Sequence, residues 1–220
     1  MKGIKKMTYS EQVADYIRQQ LLEGELSPGD QVKEVELSKR LGISRAPIRE
    51  AMQQLSREGL IQSEPQKGKY ISALTSKDIM DSYFTGGVLE AAAVAKALSS
   101  YTQEDFSAME TLVEDMRSLA ESGAKPEQFV VLDNSFHAIL FSRIDNALII
   151  ELCRRSCQGI SKFLLYKFWV NVYSSSEFYE RHLAILDALK SGDPQTVEMV
   201  IREHYSDSGK RMAEFGVDRE

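Results

Sequence analysis

The sequence has few cysteines and no long apolar segment. Its two cysteines, Cys153 and Cys157, are too few for the disulfide framework of a secreted protein, so a reducing cytoplasm is the expected location. No stretch of about 18 apolar residues is present, so we expect no membrane partner. The basic first residues, MKGIKKMTYSEQ, are not followed by an apolar core and do not resemble a signal peptide.

The usual signatures of catalysis are also absent. The sequence has no glycine-rich phosphate loop, no Ser-His-Asp order and no Cys-His pair. The two cysteines share a helical face without another soft ligand nearby, which predicts buried thiols. Hydrophobic residues make up 43% of the 220 residues and charged residues 27%, which is typical of a globular chain with one large or two small domains. We therefore predict a globular protein that is not an enzyme.

Charge divides the chain into two unequal parts. The total is −6, but residues 1–75 carry +2 and residues 76–220 carry −8. The segment 38–70 alone carries +4. A small basic part joined to a larger acidic one is the distribution that a DNA-binding head with a separate effector body requires, although local charge also fluctuates in any chain.

Start and stop signals organise the first third of the chain into helices. Thr8 and Glu11 have the spacing of a capping box at a helix N-terminus. A short helix is predicted over about 34–41, and Ser44 is predicted to cap a further helix that ends at Gly59. Apolar residues at helical spacing predict the buried face of that last helix, namely Ile48, Met52 and Leu55.

A hairpin and a helical body are predicted to follow. Residues 60–63 and 70–73 flank a Pro/Gly turn and are predicted as two short strands. After Leu74 the sequence is helical throughout, with about six helices and start signals at Thr75, Thr102 and Asp193. The predicted fold is therefore mainly α, with a winged helix-turn-helix over residues 1–74 and an all-helical bundle over residues 75–220.

The helix-turn-helix pattern identifies candidate DNA-binding residues. In such a motif the first residues of the second helix meet base edges in the major groove. Arg45 and Arg49 lie on one helical face, and arginine suits a bidentate contact to guanine. A surface helix with solvated arginines is the alternative that this pattern alone leaves open. The candidate DNA-binding residues are Ser44, Arg45, Ala46, Pro47 and Arg49 in the helix and Lys67, Gly68 and Lys69 in the turn.

The run GELSPGDQVKEVELSKRLGISRAPIREAMQQLSREGLIQSEPQKGKYIS resembles the winged helix of the GntR family of bacterial transcription regulators. This resemblance rests on four short motifs: Pro-Gly-Asp, Leu-Gly-Ile-Ser-Arg, Pro-Ile-Arg-Glu-Ala and Glu-Gly-Leu. It implies a homodimer on a near-palindromic double-stranded operator, with Arg45 and Arg49 reading bases and Lys67-Gly68 at the tip of the wing. Many members carry a DNA-contacting arginine where this chain has Val35, so the resemblance does not predict the operator sequence.

All three histidines lie in the helical body. Asp133 and His137 are four residues apart, while His182 and His204 each lie beside an apolar stripe. A lone inward histidine is usually a satisfied core residue. Three of them with a carboxylate suit a divalent ion such as Zn²⁺, Ni²⁺, Mn²⁺ or Fe²⁺.

The spacing of these four residues resembles the FadR-type effector domain of the same family, called FCD. The resemblance implies that Asp133, His137, His182 and His204 bind a divalent metal, with zinc favoured in a purified sample, and that a small organic acid binds there. Such domains often begin Arg-x-x-Leu-Glu, whereas this chain has Gly86 in place of the arginine. The usual charged anchor for a carboxylate is therefore missing, so either the metal holds most of the effector or the effector is not the usual acid.

Three functions are compatible with the sequence of the whole chain. The first is a transcription regulator whose DNA binding responds to a small carboxylate at the metal. A small metal-dependent hydrolase is the second, and no spare residue is evident as its general base. The third is a regulator whose metal is purely structural. We expect the first.

Overall fold

The computed structural model describes residues 7–124, 126–158 and 163–217, without the side chains of residues 126, 127, 157, 158 and 169–171. These residues form two compact units. The first contains residues 7–74 and 163–166, and the second contains residues 75–158 and 167–217. Within the described ranges, no helix combines the length and the apolar character needed to cross a membrane.

The first unit contains three helices and a hairpin. Its elements are α1 (Tyr9–Glu23), α2 (Glu34–Leu41), α3 (Arg45–Arg57), β1 (Ile61–Glu64) and β2 (Gly68–Ile71). The capping box is confirmed, because the Thr8 hydroxyl accepts from the Glu11 amide and the Glu11 carboxylate accepts from the Thr8 amide. Ser44 is the N-cap of α3, but its side chain makes no capping hydrogen bond with the described residues.

The predicted buried face of α3 is confirmed. Ile48, Met52 and Leu55 are all fully buried, together with Ile17 of α1. Burial of each such side chain contributes about 1.5–3 kcal/mol. The face opposite this apolar stripe is consequently fixed toward solvent.

The hairpin is present, but its predicted strand boundaries were wrong. The strands pair antiparallel from Ile61 with Ile71 to Glu64 with Gly68, so they begin and end closer to the turn than the predicted 60–63 and 70–73. The reason is that Gln66 and Gly68 both have positive φ, 63° and 114°, which reverses the chain within a few residues.

All regular secondary structure in the described part of the second unit is helical. Its α-helices are α4 (Ser76–Ala97), α5 (Gln103–Ser122), α6 (Pro126–Ser142), α7 (Ala147–Cys153), α8 (Tyr166–Val172, whose first residue belongs to the first unit), α9 (Ser175–Ser191) and α10 (Pro194–Ala213). The predicted starts are confirmed, since Thr75, Thr102 and Asp193 each cap a helix through their side chains. The predicted burial of Cys153 is confirmed, whereas the Cys157 side chain lies outside the described residues.

Two glycines allow α4 and α10 to pack unusually close together. A Cβ atom at Gly87 of α4 would lie 2.6 Å from the Cβ of Tyr205, and one at Gly209 of α10 would lie 2.8 Å from the Cβ of Tyr83. Real Cβ contacts are never this short, so alanine does not fit at either position without movement. This approach brings Tyr205 against the middle of α4.

Candidate DNA-binding surface and metal centre

The candidate recognition residues lie at the exposed start of α3. Ser44, Arg45, Ala46 and Arg49 are exposed and Pro47 is partly exposed, while Ile48 holds the helix from its buried side. The two arginines are thus presented on the solvent face of a helix that the core fixes in place. This is the arrangement in which a helix-turn-helix protein contacts base edges.

Glu34, the first residue of α2, binds both of these arginines. Its Oε2 atom accepts from Arg49 Nε at 2.8 Å and from Arg45 Nη2 at 3.0 Å. The hydrogen bond from Arg49 lowers the pKa of the Glu34 carboxyl. Partial burial acts in the opposite direction, and the hydrogen bond from Arg45 lowers the pKa further. Sequence reasoning missed this contact, because it depends on how α2 crosses α3.

Hydrogen bonds to the backbone carbonyl of Lys67 fix the shape of the wing. The carbonyl of Lys67 accepts from the Gln31 side-chain amide at 2.8 Å and from the Tyr70 hydroxyl at 3.3 Å. The Lys67 ammonium lies 3.1 Å from a Glu64 carboxylate oxygen and remains largely exposed. Gly68 is exposed at the tip and Lys69 is partly exposed, so the wing presents positive charge to solvent.

In the second unit, α6 and α9 bring together three of the four predicted metal ligands. One ligand atom from each of Asp133, His137 and His182 lies within 4.8 Å of the other two. His204 of α10 falls outside this group, although its ring centroid lies 5.5 Å from that of His182 and 5.9 Å from that of His137. The sequence-predicted set is therefore gathered in one place, with His204 at its edge.

The hydrogen bonds of His182 leave one nitrogen directed at Asp133. Its Nδ1 lies 2.8 Å from the carbonyl oxygen of Phe178, which can only accept, so Nδ1 carries a proton. Its Nε2 lies 3.1 Å from Asp133 Oδ1. A proton or a cation between this nitrogen and the carboxylate oxygen makes the contact favourable.

His137 shows the same division of its two nitrogens. Its Nδ1 lies 2.9 Å from Oε1 of Glu90, a fully buried residue of α4, and its Nε2 lies 3.8 Å from Asp133 Oδ1. The other oxygen of Glu90 accepts from the Tyr205 hydroxyl at 2.6 Å. Sequence reasoning missed Glu90, and the available signal was a carboxylate within an otherwise alanine-rich helical stretch.

The ionisation of the site follows from its carboxylates. Burial by itself lowers the pKa of His137, but the Glu90 carboxylate outweighs this and raises it to about 9. Burial would raise the pKa of Asp133, but the hydrogen bond from His182 and the charge of His137 hold it below its ordinary value. His204 is neutral, because burial and the charge of Arg181 lower its pKa well below 6.5.

The donor set fits a divalent cation. Two ligands that are each about 2.1 Å from one ion lie roughly 3.0–3.4 Å apart, which matches the contact between His182 Nε2 and Asp133 Oδ1. His204 Nδ1 is buried and has no hydrogen-bond partner in the described part of the chain. The Glu90 carboxylate holds Nδ1 of His137, and the Phe178 carbonyl holds Nδ1 of His182. Such contacts are usual for histidines that bind metal through Nε2. His204 can supply a further nitrogen.

A winged helix that exposes two arginines, on one chain with a helical bundle, defines a DNA-binding transcription regulator. The family model for bacterial regulatory proteins of the gntR family matches residues 9–71, and the model for the FCD domain matches residues 81–207. The chain belongs to the GntR family and carries an FCD domain, which binds metal in this family.

Several known regulators are similar to this chain along most of their length. It is 27% identical over 205 residues to the "Probable D-xylose utilization operon transcriptional repressor" of Paenarthrobacter nicotinovorans, covering 93% of this chain and 89% of the relative. It is 26% identical over 198 residues to the HTH-type transcriptional repressor RspR of Escherichia coli, covering 90% and 86%. The solved structure of E. coli McbR/YncC, 21% identical, shares its fold, with a TM-score of 0.73 over 96% of this chain and 99% of that chain.

The expectation that the protein is not an enzyme agrees with these relatives, which are regulators. The buried carboxylate that sequence reasoning overlooked, Glu90, has both oxygens engaged by His137 and Tyr205. It is also fully buried, so it is not placed to activate a water molecule from solvent.

Proposed function

We propose that the protein is a metal-dependent transcription regulator whose operator binding responds to a small carboxylate effector. It acts as a homodimer, with residues 1–74 binding DNA and residues 75–220 binding metal and effector. The observation that carries the proposal is the convergence of Asp133, His137 and His182 in the same chain as an exposed recognition helix.

The DNA-binding half uses the start of α3 and the wing. Arg45 and Arg49, with Ser44, Ala46 and Pro47 beside them, enter the major groove of one half-site. Lys67, Gly68 and Lys69 contact the phosphate backbone and supply affinity that does not depend on sequence. Two-fold symmetry of the dimer then requires two half-sites in a near-palindromic operator.

The metal-binding half uses Asp133, His137 and His182, with His204 as the fourth ligand. When bound, a divalent ion such as zinc, nickel, manganese or iron offers open coordination positions to the oxygens of a carboxylate. Gly86, which replaces the family's arginine, is buried in α4 and carries no charge. The metal is therefore the main anchor for the effector in this chain.

A thermal-shift screen tests the metal and effector together. Purified protein is heated with small carboxylates, sugar acids and amino acids, each with and without a chelator; D-xylose is added because one relative is named for a D-xylose operon. We expect a carboxylate to raise the melting temperature and the chelator to abolish the effect. Asp133→Asn should also abolish it, whereas Asp187→Asn, at an exposed position of α9, should not.

Two other results would overturn parts of the proposal. If chelation lowers the melting temperature while no small molecule raises it, the metal is structural and the effector role is wrong. If the protein purifies without metal and binds none of the four ions, the metal centre itself is wrong. Loss of DNA binding in Arg45→Ala tests the recognition helix independently of both.

A further inference from the structure

Glu34 joins the two arginines that the proposed function assigns to base reading. One oxygen atom, Oε2, accepts from both Arg45 and Arg49. The Glu34 side chain is only 23% exposed, whereas those of Arg45 and Arg49 are 52% and 57% exposed. The carboxylate thus lies behind the guanidinium groups, which remain accessible.

The contact uses only part of each guanidinium. Arg45 donates through Nη2 and Arg49 through Nε, and each group has five N–H donors in a planar fork. A bidentate contact to guanine requires two of them. Each arginine can therefore bind Glu34 and a base at the same time.

Such a carboxylate has two effects on recognition. It restricts the rotamers of two long side chains before DNA arrives, so less conformational entropy is lost on forming a base contact. It also reduces the charge of the three side chains from +2 to +1, which weakens attraction to the phosphates of unrelated DNA. Both effects increase the ratio of the affinity for the operator to the affinity for unrelated DNA.

We propose that Glu34 is a specificity-determining residue, which positions Arg45 and Arg49 as one unit for reading guanine bases and suppresses their binding to unrelated DNA. The inference rests on the proposed function, in which these arginines read the operator. In this inference, a negatively charged side chain improves the sequence selectivity of a surface that binds DNA.

The same helix offers a matched control. Glu36 carries the same charge two residues further along α2, but its carboxylate pairs with Lys33 at 2.8 Å. Among the described hydrogen bonds and ion pairs it has none with Arg45 or Arg49. Glu36→Gln therefore makes the same change in net charge without touching the arginines.

The experiment begins with selection from a random duplex DNA library by the full-length protein. The wild type, Glu34→Gln, Glu34→Asp, Glu36→Gln and Arg45→Ala are each carried through the selection, with circular dichroism as the check of folding. The duplex that the wild type enriches, and a shuffled duplex of the same composition, are then titrated by fluorescence anisotropy at several salt concentrations.

We expect Glu34→Gln to bind the shuffled duplex more tightly and to steepen the slope of log K against log salt by about 0.9. Its ratio of selected to shuffled affinity should fall about tenfold, as for one weakened bidentate base contact. Glu34→Asp keeps the charge but shortens the reach, so it should lose base preference with its shuffled-DNA affinity unchanged. Glu36→Gln should change both affinities equally and keep the base preference.

The outcomes separate this inference from the proposed function. If Glu34→Gln and Glu36→Gln behave alike, or if Glu34→Asp retains the full base preference, Glu34 contributes only charge and the inference is overturned. If the wild type enriches no sequence, or if Arg45→Ala keeps the wild-type preference, the recognition helix is wrongly assigned and both proposals fall.

Discussion

Replacement of Glu90 by glutamine is expected to weaken metal binding while leaving the bundle folded. Glutamine has nearly the same shape and retains an oxygen that can accept from His137 Nδ1, which Glu90 now binds at 2.9 Å. What the variant removes is the negative charge behind this candidate ligand. A hydrogen bond that involves a charged group contributes about 1.5–3 kcal/mol.

This magnitude agrees with the cost known for residues that orient metal ligands. Loss of such a partner lowers metal affinity by about 10–100-fold, which corresponds to about 1.4–2.7 kcal/mol. We therefore expect Glu90→Gln to raise the Kd for zinc by about 10–100-fold. Competition with a coloured chelator at neutral pH measures this change, and far-UV circular dichroism verifies the fold.

Tyr205→Phe is the matched variant for this prediction. It removes the hydroxyl that donates to Glu90 at 2.6 Å but keeps the carboxylate beside His137. The free energy of unfolding should fall by about 1–3 kcal/mol, because a buried carboxylate oxygen loses its partner, while metal affinity changes much less than in Glu90→Gln. A zinc Kd that stays the same in Glu90→Gln would refute the reasoning, since it would mean that His137 does not bind the ion through an imidazole held by Glu90.

Three further perturbations follow from the packing, the charges and the wing. Gly87→Ala would place a methyl group 2.6 Å from the Cβ of Tyr205 and should lower the free energy of unfolding by about 1–3 kcal/mol; an unchanged urea midpoint would contradict the close approach of α4 and α10. The Arg143 hydrogen bond and those from the Thr102 amide and hydroxyl lower the pKa of Asp105 to about 2, so its contribution to stability is complete above the ordinary pKa of 3.8 and is lost as the pH falls through about 2. Asp105→Asn should therefore lose less thermal stability than the wild type over that acid range, and equal losses would show that the ion pair has no such role. Lys67→Gln should reduce the slope of log K against log salt by about 0.9 on every DNA sequence, and an unchanged slope in anisotropy titrations would place the wing away from the phosphates.

Local signals in the sequence predicted much of the fold because they act within a few residues. The capping boxes at Thr8, Thr75 and Thr102 and the buried stripe of α3 each depend on contacts between near neighbours along one helix. The boundaries of the hairpin were less accurate. They depend on the backbone angles of Gln66 and Gly68, which residue type only partly determines.

The candidate site could be predicted only in part from sequence. Asp133 and His137 share a helical face, so their proximity follows from their spacing. The contacts of Glu90 with Tyr205 and of Glu34 with Arg49 span 115 and 15 residues and join different helices. No helical periodicity encodes them, because they depend on how the helices pack.

The hydrogen bonds of Glu90 also indicate the order in which the protein folds and binds metal. This one carboxylate connects α4 to residues 47 and 115 positions further along the chain, on α6 and α10. We expect contacts of such long sequence separation to form late in folding, because the entropy of loop closure opposes them. Helix α10 also carries His204, the proposed fourth ligand, so we expect a nascent or truncated chain that lacks α10 to hold metal weakly. Under the proposed function, metal retention would then report that the last helix has docked, and a bound ion would mark completed folding.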